Sequence, residues 1–513
     1  MSNEYEDTSL LLGMIPYSLR KPEQVAQWEK AGASPTYKLL RQPKNLEELT
    51  DDCKHGLAIW RENKTLTYVT PPGSDDFPDR SRSSLSRFSL SMLFGSEGTA
   101  LFICGYSDNA ISETAAFFMN LAEQRSDVFY LKGIVEPWSC FFDFCGAGPK
   151  CFTLLQRGCV PSLIVKDLAL SVEQSRALAS QPNCMRMRIS CCKFEDEGKA
   201  FVDELEKRQS PIGLKLDGEL FFDEVNLRRL FKLNVFNHLV LPYLRDDLAL
   251  QSFSAHAESL VTRISLRSMS VEDFSTLSIK TKYLTLNIKQ FFEEAFPTEL
   301  MISFWRRLSE LGHFVELRVA IILFSEDVEK TPIPIAAPLM KEMIRAIMAN
   351  RNLQILDLST YNRDLEWRPH MEALFNSLKD HKELRILRLQ VDDESQDFGP
   401  GMCHLRNLLW QKRDITVKNC EGDIFTDNKL ICALYSLNRL YRGSARLVGP
   451  PTPDRFSLVT TALLKSTAQS FQRSSLLLAD HLEVLHELVQ SVQLDHDVPF
   501  FQPNRKKKRR RRI

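Results

Sequence analysis

Two copies of one short pattern, L-x-x-L-x-L, constrain the fold of this chain more than any other feature. They occupy residues 353–358 and 384–389. Between them, Met371, Leu374, Phe375 and Leu378 recur at the i, i+3, i+4, i+7 spacing of a single helix face. A strand, a helix and the same strand again form one unit of a repeat, which needs stacked neighbours to bury its apolar side. The pattern therefore predicts an α/β chain built by repetition.

The same alternation of short apolar strands and helical segments extends toward the N-terminus. The spacing between units varies, and a proline-rich insertion at 325–338 accounts for the longest interval as a loop. We predict strands at residues 163–165, 187–189, 214–216, 239–241, 264–266, 284–286 and 317–319, and a last strand at 415–417.

These strands and helices, at roughly 25–30-residue intervals, resemble the leucine-rich repeat family in its longer, ribonuclease-inhibitor-like form, over about residues 100–420. The resemblance implies a solenoid with parallel strands on its concave face, helices on its convex face and a helical C-terminal cap. Strand leucines would point into the core, and the residues between them would face the concave surface. On this interpretation the partner-binding candidates are Lys215, Asp217, Ser265, Arg267, Thr285, Asn287, Arg318, Asp357, Arg388 and Gln390.

The rest of the chain divides around this array. Pro22 suits the first position of a helix, and residues 66–69 suggest a strand. Turn formers and charges dominate the segment that follows. For residues 427–495, a separate helical domain is the alternative to a cap. The predicted divisions are a largely helical N-terminal cap at 1–70, a mobile loop at 71–95, the solenoid at 96–426, a helical C-terminal cap at 427–495 and a disordered basic tail at 496–513.

The charge is distributed unevenly. Lys and Arg number 66, and so do Asp and Glu, but eight of the cations are consecutive near the C-terminus. The remaining chain is therefore net negative, which disfavours nucleic acid along the body. The basic run is a candidate nuclear-import signal, with a nucleic-acid anchor, an anionic-membrane patch or an inert tail as alternatives. It consists of Arg505, Lys506, Lys507, Lys508, Arg509, Arg510, Arg511 and Arg512.

Motifs for catalysis or metal binding are missing from the sequence. Its 12 cysteines form no C-x-x-C pair, and its 10 histidines form no H-E-x-x-H. The stretch 146–150 lacks the spacing of a phosphate loop, and Pro149 removes a donor that such a loop needs. No apolar run reaches the roughly 20 residues that span a bilayer. We therefore expect no catalytic site, metal, cofactor or membrane contact, with the protein intracellular and nuclear or nucleocytoplasmic.

These patterns favour a non-enzymatic scaffold that binds a protein partner, of unknown identity, through the concave face. One alternative is a substrate-recognition subunit of a ubiquitin ligase, a role implied by the family resemblance, although no leucine-proline opening of an F-box is evident in residues 1–60. Another is a nucleic-acid-associated protein acting through the tail, which could instead bind a nuclear import receptor.

Overall fold

A computed structural model describes residues 10–50, 56–73, 77–79, 88–96, 98–121, 127–135, 141–149, 151–152, 160–219, 222–267, 269–291, 296–324, 333–359, 365–391, 394–427, 429–446, 455–464, 471–479, 481–482 and 484. The basic run at 505–512 lies outside them. The chain divides into two compact units. The first comprises Met1–His370, His381–Asp392 and Lys418–Asp423, and the second comprises Met371–Asp380, Asp393–Val417 and Ile424–Ile513.

The first unit begins with strands rather than helices, so the largely helical cap predicted for residues 1–70 is wrong. Pro22 starts only a single 3-10 turn, closed by Val25 N–H donating to Pro22 O. The chain then enters a short antiparallel hairpin, whose Trp28 packs edge-on against Tyr68 with ring centroids 5.1 Å apart. The strand predicted at 66–69 is present. The elements are β1 (Leu12–Met14), 3-10 turns Tyr17–Leu19 and Pro22–Gln24, β2 (Ala26–Trp28), β3 (Gly32–Ser34), β4 (Thr36–Leu39), α1 (Glu47–Thr50), β5 (Leu57–Trp60) and β6 (Thr65–Thr70).

The next segment adds three antiparallel strands to this sheet. They are β7 (Phe88–Phe94), β8 (Thr99–Gly105) and, after helix α2 (Asp108–Leu121), β9 (Val128–Val135). The pairing registers give the order β1-β4-β5-β6-β8-β7-β9. The loop predicted at 71–95 is therefore wrong where β7 lies, and Phe77 O also accepts from Glu29 N–H. Residues 80–87 fall outside the described chain.

From β9 onward successive strands are parallel, which confirms the predicted α/β class, although this continuous run starts later than the predicted boundary at residue 96. Successive pairs join β9 to β11, then β13, β15, β16, β17, β18, β19, β21 and β23. The elements are β10 (Phe142–Asp143), 3-10 turn Cys145–Ala147, β11 (Ser162–Lys166), β12 (Leu168–Leu170), α3 (Val172–Ala179), β13 (Arg186–Ser190), β14 (Lys193–Phe194), α4 (Lys199–Leu205), β15 (Ile212–Asp217), α5 (Glu224–Phe231), β16 (Phe236–Tyr243), α6 (Asp246–Ser252), β17 (Ala257–Ser265), α7 (Val271–Ser275), β18 (Tyr283–Phe291), α8 (Thr298–Leu311), β19 (Glu316–Phe324), β20 (Ile333–Pro334), α9 (Ala337–Ala349), β21 (Ile355–Asp357), β22 (Leu365–Glu366) and β23 (Ile386–Arg388).

A row of apolar side chains in register forms the core beneath the parallel strands. Each member pairs with the next and is at most 1% exposed, so each contributes about 1.5–3 kcal/mol by burial. In β17 the member is Leu260, which pairs with Leu239 and Leu284, so the predicted strand at 264–266 starts four residues too far along the chain. The row runs Phe129, Leu163, Met187, Leu214, Leu239, Leu260, Leu284, Leu317, Leu356 and Leu387.

Tight turns follow β11, β13 and β15 at their carboxyl ends, and those after β11 and β13 lead into a second, smaller parallel sheet, β10-β12-β14, which the sequence did not predict. At each turn one residue adopts left-handed backbone angles: Asp167 (φ 59°), Cys191 (φ 47°) and Gly218 (φ 72°). The first two donate their N–H to the next strand, at 3.0 Å to Ser190 O and 3.0 Å to Asp217 O. The ends of β11 and β13 therefore repeat one hydrogen bond to the next strand.

The second unit is mainly helical. Phe398 packs between Phe375 and Phe425, with ring centroids 5.9 Å and 4.9 Å away, and Asn438 donates to Leu409 O at 2.9 Å. The helices predicted after residue 427 are present where the chain is described. The elements are α10 (Met371–Leu378), α11 (Glu394–Asp397), 3-10 turn Pro400–Met402, α12 (Cys403–Gln411), β24 (Thr416–Lys418), α13 (Leu430–Arg446), α14 (Arg455–Ala462) and α15 (Phe471–Ala479). Over the described residues, no helix combines the length and the apolar character needed to cross a membrane.

Candidate interaction face

One side of the parallel sheet carries the residues that alternate with the buried core row, and we call it the outward face. Its central row joins residues in register on ten strands, each directly beside the next. Because side chains alternate along a strand, this row points away from the core. Five of the ten candidate residues predicted from the sequence belong to it. The row runs Tyr130, Ile164, Arg188, Lys215, Val240, Val261, Thr285, Arg318, Asp357 and Arg388.

The other five candidates occupy different positions. Asp217 lies one row further along and pairs in register with Ser190, and Asn287 pairs with Ala320. Gln390 follows the end of β23, two residues after Arg388.

Ser265 and Arg267 were chosen from the wrong frame of β17. The residues of β17 equivalent to Thr285 and Asn287 are Val261 and Arg263, so Ser265 lies further along the strand and Arg267 follows its end. Ser265 pairs in register with Lys289, so it and Arg267 lie outside the central row.

Cations dominate the outward face over β9, β11, β13 and β15, and we call this part the basic section. Asp217 Oδ2 receives both Arg188 Nη2 at 2.9 Å and Lys215 Nζ at 3.1 Å. Burial raises the pKa of Asp167, while Lys166 and Lys132 act in the opposite direction. The charges of these four strands thus lie close enough to influence one another. The cations are Lys132, Lys166, Arg186, Arg188 and Lys215.

The outward face over β16, β17 and β18 is less charged, and we call it the middle section. Val240 is 7% exposed and lies beside Lys215 in register. Tyr243 is exposed, and Lys289 Nζ lies 5.4 Å from its ring centroid, within cation–π range. His238 Nδ1 lies 2.9 Å from Ser259 Oγ, and burial, followed by the charge of Lys215, lowers the pKa of His238. Apolar and aromatic groups here adjoin the basic section.

Over β19, β21 and β23 the outward face carries charges of both signs in mutual contact. Asp357 is 8% exposed, and its Oδ2 accepts from Arg388 Nη1 at 3.2 Å and lies 3.8 Å from Arg318 Nη1. Arg318 also pairs with Glu316 on its own strand. Asp357 on β21 therefore holds two guanidinium groups in place, one on each of the flanking strands β19 and β23.

Three polar atoms of the outward face are buried without a hydrogen-bond partner among the described residues. They are Ser190 Oγ, Arg388 Nε and Gln390 Oε1. Buried polar atoms are nearly always paired in folded proteins, so such atoms call for an explanation. Two of the three atoms, Arg388 Nε and Gln390 Oε1, belong to residues at and just after the end of β23.

The described residues include buried thiols, such as Cys151 and Cys192, and exposed ones, such as Cys432. They contain no group of three or more His, Cys, Asp or Glu side chains placed to hold a metal ion. Burial raises the pKa of the thiols of Cys151 and Cys192 to about 12, so both are protonated at neutral pH and are poor nucleophiles.

One cavity of about 20 Å³ opens between α8, α9 and β19, room for about one water molecule. Its lining is apolar and includes Met301, Trp305 and Leu358. It supplies no acid, base or nucleophile.

No protein-family model matches this chain, and no curated protein matches it either.

Proposed function

We propose that this protein is a non-enzymatic interaction scaffold that binds a protein partner across the outward face of its parallel sheet. We further propose that the sheet and its helices form a leucine-rich-repeat-like solenoid whose concave face is the outward face. The observation that carries the proposal is the central row, which brings side chains from ten strands into one continuous line.

Physical features of the row support recognition of a polar protein surface. Short polar groups such as Thr285 stand beside paired charges such as Arg318 and Asp357. Complementary charges fix the register of a complex and set the rate of encounter more than they add affinity.

The experiment uses two double variants of the full chain that add the same charge. Thr285→Arg with Asn287→Arg places bulky cations on the outward face, at half-buried positions that avoid the core. Ser275→Arg with Thr276→Arg places the same groups at exposed positions at the end of α7. Proximity labelling in cells compares both with the unaltered chain, and thermal unfolding checks that each remains folded.

We expect the face variant to lose a defined set of proteins that the α7 variant retains. Capture of the same set by all three chains would overturn the proposal. Loss from both variants to the same degree would also overturn it, because the added charge alone would then explain the result.

A further inference from the structure

The basic section gathers five cations from four adjacent strands. Lys132 pairs in register with Lys166, and Arg188 with Lys215. Neighbouring strands lie about 4.8 Å apart, so four strands place these charges within about 15 Å across the sheet. The side chains of Lys166, Arg188 and Lys215 are 39%, 47% and 38% exposed, so each is partly withdrawn from water yet accessible.

Carboxylates balance this charge only in part. Among the described residues of these four strands and their first turn positions, Asp167 and Asp217 are the acids. Asp217 uses one oxygen for two cations, so that group of three stays positive. The section therefore has a net positive charge, in a chain whose body is net negative once the tail is set apart.

The contrast between the positive basic section and the negative body favours a short anionic ligand over a long one. At physiological salt, charges further away than about 8 Å are largely screened. A short anionic segment would therefore respond mainly to the basic section, whereas a long polyanion would also extend along the negative body.

The neighbouring middle section adds a second preference. Val240 lies directly beside Lys215, and Tyr243 is exposed one row further along, in register with Arg263. In an extended peptide every second side chain points to the same side, about 6.8 Å from the last. A peptide lying across both sections can therefore direct carboxylates to the basic section and apolar groups to the middle section.

We propose that the basic section binds an extended segment of a protein partner that is rich in Asp and Glu. This assignment rests on the proposed function and specifies the chemistry of its ligand. The carboxylates of the partner pair with Lys132, Lys166 and Arg186, while Arg188 and Lys215 remain oriented by Asp217.

The test measures fluorescence anisotropy of a labelled peptide of alternating Glu and Ser. The protein is the full-length chain with the tail cations at 505–512 replaced by glutamine, because the tail would otherwise bind the same probe. The face variant is Lys132→Gln, Lys166→Gln and Arg186→Gln. The matched control is Lys199→Gln, Lys207→Gln and Lys232→Gln, which removes three exposed charges on or beside α4 and α5.

We expect the face variant to weaken peptide binding about tenfold and the control by less than about twofold, with salt reducing the difference. Equal losses in both variants would overturn the assignment in favour of unspecific attraction. Tighter, face-dependent binding of a thymidine oligonucleotide of equal charge would overturn it in favour of nucleic acid. If Thr285→Arg with Asn287→Arg loses partners in cells while the peptide fails to bind, this assignment falls and the proposed function stands.

Discussion

Asp357 shows how single residues organise the outward face. It is almost fully buried, yet it is charged, so it requires partners to offset the loss of hydration. Arg388, Arg318 and the N–H of Ser359, at 3.1 Å, supply them. The sequence predicted that Asp357 faces the same way as both arginines, but it could not show that the three side chains meet, because pairing across strands depends on register.

Replacing Asp357 should therefore destabilise the fold. We expect Asp357→Ala to lower the free energy of unfolding by about 1–3 kcal/mol, since Arg388 would stay partly buried without its anion. Asp203→Asn serves as the control, because its ion pair with Arg229 is more exposed and should contribute below about 1 kcal/mol. Urea unfolding measures both, and equal losses would contradict the role given to Asp357.

His238 should make stability depend on pH. Its pKa is lower in the folded state, so the unfolded chain binds the proton more readily. Its contribution is complete above the ordinary pKa of about 6.5 and is lost as pH falls through that value toward the lowered one. We expect His238→Gln to lose less stability than the unaltered chain between about pH 7.5 and about pH 5.5 in urea unfolding. An NMR titration of the imidazole should show the lowered pKa directly, and an ordinary value would refute the prediction.

At the scale of elements, the turns after β11, β13 and β15 each require one residue with left-handed backbone angles. Gly218 fills this position after β15 with φ 72°, and a Cβ there would lie 2.2 Å from Cys191 Sγ. Asp167 fills the equivalent position after β11 despite the strain that a side chain adds. The sequence could not reveal this shared role, because Asp, Cys and Gly have no common pattern.

Substitutions at Gly218 and at Asp167 should change the free energy of unfolding by different amounts. We expect Gly218→Ala to lower the free energy of unfolding by about 1–3 kcal/mol, through left-handed strain and the contact with Cys191. Asp167→Gly relieves strain at the same kind of position, so its cost should stay below about 1 kcal/mol. Thermal unfolding of the two variants compares them, and equal destabilisation would show that the turn does not impose this constraint.

Strands with an apolar residue on either side of a polar one were predictable, and the shortest N-terminal strands were not. In β17 the predicted strand lies four residues too far along the chain. Leu260, Ile264 and Leu266 are all buried, so the apolar alternation alone fits more than one position in this stretch. At the N-terminus, strands of three or four residues carry too few alternating positions to distinguish them from turns or helices.

The same limits apply to the candidate face. Alternation correctly predicted that Lys215, Thr285 and Arg318 share a side. It left out Lys132, Lys166, Arg186 and Arg188, which follow the same rule on earlier strands. The sequence does contain a signal for them, because a Lys or Arg stands next to the central apolar residue at 130–132, 164–166 and 186–188.

At the scale of the whole molecule, the sequence predicted a role for the basic run that the described residues do not address. We propose that residues 505–512 direct nuclear import. Deleting 504–513 from a fluorescent fusion of the full chain should abolish nuclear accumulation, because a cluster of cations is the recognised feature. A variant with every tail arginine changed to lysine keeps the charge and should remain nuclear. Unchanged nuclear accumulation of the deletion would refute the proposal.

The in-register leucine row has a consequence for how such a protein can change over generations. Each strand aligns only with the two beside it, so exchanging an outward side chain leaves the packing of distant units intact. Under the proposed function, binding preference could therefore change one strand at a time. A strand and its helix could also be gained or lost, provided that the new strand carries an apolar residue in register with the core row.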